Sequence, residues 1–210
     1  MDLKSKIFTF LEEKIAILIL GAGGSSRLEQ PKQLLEYKGK TLVENSIDTA
    51  LDTHLGPVYL ILGSNGQEIA KHLKKYRGEI RIIHNQKWEH GVSSSIRLGL
   101  KEIEKEEPGI YGIIITLVDQ PLIKVSHLVS MIRSHFTSGK KIIASGYGGS
   151  FGVPVFFHRK MFPYVEKLEG DQGAKSIISK LKLDVHIMPN PDAELDIDSD
   201  EDYKNLLKTT

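Results

Sequence analysis

The sequence predicts an α/β fold, a three-layer sandwich in which helices cover both faces of a mostly parallel sheet. Short apolar runs alternate with stretches of helical periodicity, which is typical of parallel strands joined by crossover helices. Two of the runs, 15–20 and 113–118, are apolar almost throughout, as expected of central strands buried on both faces. Each of these runs stops at turn residues, Gly21-Ala22-Gly23-Gly24 after the first and Asp119-Gln120-Pro121 after the second.

The remaining elements follow in chain order from periodicity and turn residues. A helix is predicted to open at Thr41, because Thr41 and Glu44 have the spacing of a capping box. Further strands are predicted at 58–62, 80–84, 141–145, 152–157 and 185–188. Further helices are predicted to end at 76, to run from about 93 to 103, and to cover 126–136, 160–168, 173–181 and 200–208. Pro154 cannot donate a hydrogen bond to a central ladder, so its strand is predicted at an edge of the sheet.

The size of the chain suits one domain. Its 210 residues, 40% of them hydrophobic, suffice for one sizeable core. We therefore expect residues 14–210 to form a single domain. The mixed charged and apolar residues 1–13 are predicted to form a short helical extension that packs on it.

The composition excludes several classes of partner. Lys and Arg number 28 against 27 Asp and Glu, so the net charge of +1 gives no general attraction to nucleic acid or to an anionic membrane. No apolar run approaches the roughly 18–20 residues that a transmembrane helix needs. The absence of cysteine removes disulfides, thiolate metal sites and cysteine nucleophiles, and it is compatible with a reducing compartment. We therefore expect a cytoplasmic protein with no nucleic-acid and no membrane partner.

The first candidate site is the glycine loop that follows strand 15–20. It reads Leu20-Gly21-Ala22-Gly23-Gly24-Ser25-Ser26-Arg27, and Lys32 comes five residues later. Small residues let backbone N–H groups approach phosphate oxygens, while Arg27 and Lys32 can neutralise them. The glycine spacing matches neither the dinucleotide fingerprint nor the P-loop. The alternative is a flexible turn between strand and helix.

The second candidate site is Asp119, at the carboxyl end of strand 113–118. Open α/β sheets bind ligands at this edge, and a carboxylate there can hold Mg²⁺ on a triphosphate. The alternative is an aspartate that only initiates a turn.

The third candidate site is Asp196-Ile197-Asp198. Polar and apolar residues alternate here, which predicts a strand whose two carboxylates point to the same side. One of them could complete a metal site. The alternative is that Asp198 only caps the helix that begins at Ser199-Asp200.

In their order along the chain, these motifs resemble the MobA-like NTP transferase family, and within it the molybdenum cofactor cytidylyltransferase branch. The resemblance spans roughly residues 14–207. It is carried by Leu20-Gly21-Ala22-Gly23-Gly24-Ser25-Ser26-Arg27, Pro31-Lys32-Gln33-Leu34-Leu35, Asn85-Gln86-Lys87-Trp88-Glu89-His90-Gly91-Val92-Ser93-Ser94-Ser95, Val118-Asp119-Gln120-Pro121, Gly170-Asp171-Gln172-Gly173-Ala174-Lys175 and Asp196-Ile197-Asp198-Ser199-Asp200-Glu201-Asp202-Tyr203. Each motif is weakly specific alone, and their shared order makes chance improbable.

The resemblance implies a nucleotide-diphospho-sugar transferase fold and a metal-dependent transfer of a nucleoside monophosphate, with release of pyrophosphate. Arg27, Lys32 and Asp119 would be catalytic, and Asp119 with Asp198 would hold Mg²⁺, with Mn²⁺ as the alternative metal. The implied nucleotide-binding residues are Leu20, Gly21, Ala22, Gly23, Gly24, Ser25, Arg27, Lys32, Gly63, Asn85 and Ser94. The implied acceptor-binding residues are Trp88, Gly91, Ser93, Gln120, Gly152, Asp171 and Lys175.

The resemblance also implies the substrates. The donor would be CTP, with GTP as the alternative, because Ala22 resembles the cytidylyl branch where the guanylyl branch has glycine. The acceptor would be a phosphorylated pterin, the molybdenum cofactor, with a molybdoenzyme apoprotein as a further partner. Two departures concern acceptor recognition: Lys175 replaces a common arginine and loses its bidentate fork, and Val153 stands where histidine is frequent.

Two other functions remain open on sequence grounds. The first is nucleotidyl transfer to a sugar or polyol phosphate, since those enzymes share the first loop with Arg27 and Lys32. The second is a non-catalytic carrier that holds a nucleotide cofactor for a molybdoenzyme. The Asp119-Gln120-Pro121 and 170–175 motifs disfavour the first. Retention of a metal-poised Asp119 disfavours the second.

Overall fold

The computed structural model describes residues 13–24, 28 and 30–208. Its main feature is a seven-stranded sheet whose strands, in spatial order, are β5-β4-β1-β6-β8-β7-β9. These strands are β1 (Ile15–Gly21), β4 (Val58–Leu62), β5 (Ile80–His84), β6 (Gly112–Leu117), β7 (Ile142–Tyr147), β8 (Ser150–His158) and β9 (Val185–Pro189). A separate two-stranded hairpin, not expected from the sequence, joins β2 (Glu36–Tyr37) and β3 (Lys40–Thr41). All pairings in the large sheet are parallel except those of β8, which runs antiparallel to β6 and β7.

Helices cover both faces of the sheet. They are α1 (Leu42–Leu51), α2 (Gly66–His72), α3 (Val92–Glu106), α4 (Val125–Ser138), α5 (Phe162–Val165), α6 (Ala174–Lys180) and α7 (Asp200–Lys208). Helix α1 begins as predicted: Thr41 Oγ1 accepts a hydrogen bond from the Glu44 N–H, and the Glu44 carboxylate accepts one from the Thr41 N–H. Across the described part of the chain, no helix has the length and apolar character needed to span a bilayer.

The two faces of the sheet are buried in two separate apolar cores. Ile15, Ile17 and Ile19 of β1 point into the core beneath α1, α2, α4 and α7. Their neighbours Ala16 and Leu18 point into the core beneath α3, α5 and α6. This alternation explains why the first run is apolar throughout, and it confirms the predicted three-layer sandwich with a mostly parallel sheet.

The predicted edge position of the Pro154 strand is wrong. Strand β8 lies inside the sheet, between β6 and β7. Its register with β7 shifts between Val155, which faces Ala144, and Gly152, which faces Ser145. Pro154 lies in this bulge, where no ladder hydrogen bond requires a backbone N–H, so an interior strand tolerates it.

The predicted strand over residues 196–198 is also wrong, because the segment belongs to no strand. It is held instead by one backbone hydrogen bond, in which the Ile197 N–H donates to the carbonyl of Asp119 at 3.0 Å. The Ile197 side chain is fully buried in the core, so the acidic residues on either side of it are fixed near the end of β6.

The final helix is capped by Ser199 and not by Asp198. Ser199 Oγ accepts a hydrogen bond from the Asp202 N–H, and the Asp202 carboxylate accepts one from the Ser199 N–H at 2.9 Å. The Asp198 carboxylate is therefore available for another role. The predicted helix over 160–168 is shorter than expected, since only a 3₁₀ turn at Arg159–Met161 and the four residues of α5 are helical.

Two histidines pack together at the end of the sheet opposite the glycine loop. His135 Nδ1 donates to the Lys140 carbonyl at 2.6 Å, so Nε2 accepts from the Tyr111 hydroxyl at 2.8 Å. The ring of His158 lies 5.4 Å from that of His135, centroid to centroid. Burial lowers the pKa of both imidazoles, and His135 and nearby cations help to bring the pKa of His158 to about 4.

This pair predicts a loss of stability in mild acid. Because the folded-state pKa of His158 lies below the ordinary value of 6.5, the unfolded chain binds more protons between about pH 6.5 and about 4. We expect the free energy of unfolding to fall as the pH drops through this interval. Urea unfolding across the interval should show a smaller fall for His158→Gln. His72→Gln is the matched control, because His72 is exposed, and it should behave as wild type does. If the free energy of unfolding of His158→Gln falls with pH as steeply as that of wild type, the prediction is contradicted.

Candidate active site

A cleft of about 460 Å³ opens at the carboxyl ends of β1 and β6. Its walls are the glycine loop after β1, the turn after β6 and the segment that leads into α3. This is the edge at which open α/β sheets bind ligands. The sequence-predicted site residues that line it are Leu20, Gly21, Ala22, Gly23, Gly24, Lys32, Trp88, Gly91, Asp119 and Asp171.

None of the other predicted residues that the structure describes lines this cleft. Ser25 and Arg27 lie outside the described residues. Gly63 and Asn85 line a neighbouring concavity, on the other side of Trp88. The cleft lining also lacks Ser93, Ser94, Gln120, Gly152, Lys175 and Asp198.

Gln33 fixes the shape of the glycine loop. Its Nε2 donates to the carbonyls of Gly21 at 2.8 Å and Gly23 at 3.1 Å, and the residue is 1% exposed. These two hydrogen bonds fix the direction of the Gly21 and Gly23 carbonyl groups, which point toward Gln33. Sequence reasoning gave Gln33 no role, and its only signal was its place in the 31–35 motif.

Trp88 packs directly on two glycines. A Cβ added to Gly63 would lie 2.6 Å from the Ala22 carbonyl oxygen and 2.6 Å from the Trp88 Cβ. A Cβ on Gly24 would lie 3.2 Å from the Trp88 ring. Only glycine at position 63 leaves room for Trp88 and the glycine loop to meet. The indole therefore forms a fixed wall of the cleft.

The segment that enters α3 is held by its own polar groups. Asn85 Nδ2 donates to the hydroxyl oxygens of Ser94 and Ser95, both at 2.9 Å. Gly91 has a positive φ of 88°, and a Cβ there would lie 2.3 Å from the carbonyl oxygen of Gly170. Asn85 and Ser94 thus brace the wall of the cleft, and Gly91 lets the segment around Gly170 close against it.

Three further predicted residues lie away from the cleft. Ser93 is fully buried, and its N–H donates to the Gly170 carbonyl at 3.2 Å. Lys175 Nζ donates to the hydroxyl of Ser150 at 2.7 Å, on the hairpin formed by β7 and β8. Gly152 belongs to the same hairpin.

The main charged contact of the site joins three predicted residues. Lys32 Nζ donates to Asp119 Oδ2 in a short ion pair and to Asp198 Oδ1 at 2.8 Å. The Lys32 and Asp119 side chains are 13% and 15% exposed, whereas that of Asp198 is 59% exposed. Both carboxylates therefore converge on one point, with Asp198 on its solvent side.

Burial and charge act in opposite directions on this group. Burial raises the pKa of the Asp119 carboxyl above its ordinary range, against the effect of Lys32. Burial lowers the pKa of Lys32, but the two carboxylates outweigh it and raise that pKa above its ordinary value. The lysine stays charged, and it is the cation that offsets the cost of burying the Asp119 carboxylate.

Asp196 adds a third negative charge that acts on Asp119. The residue as a whole is exposed, and its carboxyl is close enough to Asp119 for the two charges to interact. Desolvation and the charge of Asp119 raise the pKa of Asp196 to about 6. Gln120 is buried and donates to the Ala193 carbonyl at 3.0 Å, so it holds the chain at Ala193, and it is not part of the cleft lining.

The residues present fit a divalent metal ion that is shared with a substrate. Asp119 Oδ1 is buried and has no hydrogen-bond partner among the described residues. Those residues include no group of three metal-ligating side chains. Mg²⁺ typically binds one or two carboxylates and takes its other ligands from phosphates and water. Asp119 and Asp198 offer such a donor set.

The chain is similar to known proteins over most of its length. Residues 17–185 match the family model described as MobA-like NTP transferase domain. Purine catabolism protein PucB of Bacillus subtilis (strain 168) is 29% identical over 194 residues, which cover 89% of this chain and 92% of the relative. Nicotine blue oxidoreductase of Paenarthrobacter nicotinovorans is 29% identical over 203 residues, which cover 90% and 95% of the two chains.

A third relative and a solved structure agree with this match. Molybdenum cofactor cytidylyltransferase of Escherichia coli (strain K12) is 29% identical over 92 residues, 44% of this chain and 47% of the relative. The crystal structure of Rv0371c from Mycobacterium tuberculosis H37Rv superposes with a TM-score of 0.81 at 26% identity, covering 93% of this chain and 98% of that chain. The chain therefore belongs to the MobA-like NTP transferase family and is a nucleotidyltransferase.

Proposed function

We propose that this nucleotidyltransferase moves CMP from CTP to the terminal phosphate of a molybdopterin-type cofactor and releases pyrophosphate, with Mg²⁺ as its metal. The observation that carries the proposal is the convergence of Lys32, Asp119 and Asp198 beside the glycine loop. A cation and two carboxylates at this edge suit a metal–triphosphate complex. These substrates also favour the cytoplasm as the compartment.

The proposed chemistry needs positioning more than a protein nucleophile. An oxygen of the acceptor phosphate attacks the α-phosphorus in line, and pyrophosphate departs on the opposite side. The glycine loop would hold the triphosphate through its N–H groups, and Lys32 would bind its oxygens. Asp119 and Asp198 would hold the metal ion, which supplies charge that offsets the roughly four negative charges of an NTP. Arg27 would add a second cation, by its place in the family motif.

The metal assignment has support from the carboxylates and from a relative. Carboxylate oxygens suit both Mg²⁺ and Mn²⁺. Rv0371c has also been solved as a complex with manganese. We propose Mg²⁺ as the usual ion, with Mn²⁺ as an effective substitute.

The acceptor assignment has support from one relative and one cation. The Escherichia coli relative is a molybdenum cofactor cytidylyltransferase by name. Lys175, whose ammonium group donates to Ser150 on the hairpin of β7 and β8, would bind the acceptor's phosphate as a single point charge. A molybdoenzyme apoprotein is the proposed recipient of the product.

Ala22 is the residue that we propose to favour the smaller base. It lines the cleft, and it is 9% exposed. We expect Ala22→Gly to raise kcat/KM for GTP relative to CTP by about tenfold, since a missing methyl group leaves space for a purine. Competition between the two nucleotides in one reaction measures this ratio. Ala22→Ser, nearly equal in size to the wild type, should keep the CTP preference, and an unchanged ratio in Ala22→Gly would remove Ala22 from base selection.

The proposal is tested by pyrophosphate release from CTP, GTP and ATP with Mg²⁺, with and without molybdenum cofactor freed from a molybdoenzyme. Release that requires the cofactor and is fastest with CTP, with a dinucleotide product identified by mass, is the expected result. The same assay is run with a sugar or polyol phosphate in place of the cofactor. If pyrophosphate is released only then, that compound and not the cofactor is the acceptor. Tight nucleotide binding without any pyrophosphate would favour the carrier function.

A further inference from the structure

Lys32 occupies the space between the two carboxylates that would hold a metal ion. Its ammonium group touches both carboxylates that form the metal donor set, Asp119 Oδ2 and Asp198 Oδ1. Two cations cannot share these oxygens at close range without strong repulsion. In the free protein, the lysine is therefore the resident cation of the carboxylate pair.

The same side chain also reaches the glycine loop. A Cβ built on Gly23 would lie 4.0 Å from Lys32 Cε, so the stem of the lysine runs alongside the loop. The ammonium group lies one bond beyond Cε and can turn about the terminal bonds of a flexible chain. The loop mouth and the carboxylate pair are thus both within reach of one ammonium group.

We propose that Lys32 and the metal ion exchange: Lys32 blocks the carboxylate pair in the free enzyme, and an arriving triphosphate draws it away so that the metal can bind. The inference rests on the proposed roles of Lys32, Asp119 and Asp198 and adds an order of binding to them. Metal without nucleotide meets an already neutralised Asp119. Metal with nucleotide meets a carboxylate pair whose lysine has moved to the phosphates.

This exchange would link metal loading to substrate. Asp119 is buried, so leaving it without a cation is costly, and the lysine removes that cost while the cleft is empty. A metal-loaded but nucleotide-free enzyme would then be rare. The enzyme would take up the metal and the nucleotide together.

The test measures the affinity of the protein for Mn²⁺ without any nucleotide, at mildly alkaline pH. The electron paramagnetic resonance signal of free Mn²⁺ gives the unbound concentration. We expect Lys32→Met to bind Mn²⁺ at least about tenfold more tightly than wild type, because the competing ammonium group is gone. Adding Asp119→Asn to Lys32→Met should abolish the gain. Lys141→Met is the matched control, since Lys141 forms a similar ion pair with Asp184 away from the cleft, and it should bind as wild type does.

Thermal unfolding keeps the test decisive if Lys32→Met is unstable. Mn²⁺ should raise the melting temperature of Lys32→Met, or of Lys32→Gln, more than that of wild type. A variant that folds only with Mn²⁺ would support the exchange equally. Equal or weaker Mn²⁺ binding by both variants would overturn it. Failure of the proposed function is seen separately, as wild type that releases no pyrophosphate from CTP.

Discussion

Asp119→Asn is expected to lower kcat for pyrophosphate release by about a thousandfold, which is the scale for losing a group that organises charge in the transition state. The amide keeps the size of the side chain but not its charge, and Asp119 Oδ1 is a buried oxygen with no hydrogen-bond partner in the described part of the chain. Nucleotide affinity should change less than kcat. Trp88, the single tryptophan, lines the cleft, so its fluorescence can measure nucleotide binding separately from turnover.

The control for this variant is Asp184→Asn. Asp184 also pairs with a lysine, Lys141 at 2.8 Å, but it lies outside the cleft lining. It should keep full turnover. Unchanged turnover in Asp119→Asn would show that the buried carboxylate has no part in metal binding or in the reaction.

Lys32→Met is expected to reduce kcat/KM for CTP by about a thousandfold as well, but through binding. One unit charge pair at 4 Å and an effective dielectric near 20 is worth roughly 4 kcal/mol before desolvation, and the triphosphate would lose one such partner. Steady-state kinetics at saturating Mg²⁺ should show KM rising at least as much as kcat falls. Saturating metal matters because the variant and the wild type should differ in their affinity for the free ion.

Lys141→Met serves again as the matched variant, and its kinetics should equal those of wild type. A Lys32→Met enzyme with normal KM and kcat would show that other cations meet the charge of the triphosphate. Arg27, outside the described residues, would then be the first residue to replace.

The central part of the fold could be predicted from sequence because it depends on local pattern. Strands β1 and β6 are buried on both faces, so their runs are apolar, and helix α1 opens with a capping box that two residues define. The position of β8 depends instead on its pairing with β6, a strand distant in the chain. Pro154 led to the prediction of an edge strand. The bulge in β8 lets an interior strand contain this proline.

The site divides in the same way. The glycine loop, Lys32 and Asp119 were predicted because each stands at the end of an apolar strand or in a motif. Gln33 was missed because its role consists of two hydrogen bonds to backbone carbonyls, which leave no pattern in the sequence. Asp198 was predicted as a ligand for the wrong structural reason. Its direction comes from the burial of Ile197 and one backbone hydrogen bond, not from a strand.

The three charged groups of the site are far apart along the chain. Lys32 is 87 residues from Asp119 and 166 residues from Asp198, and the last strand of the sheet ends at Pro189. A chain synthesised from its N-terminus therefore contains Lys32 and Asp119 well before Asp198 leaves the ribosome. The proposed pair of metal-binding carboxylates is complete only after every strand of the seven-stranded sheet has been synthesised. The second carboxylate would thus join the site only when the sheet that positions the first can already form.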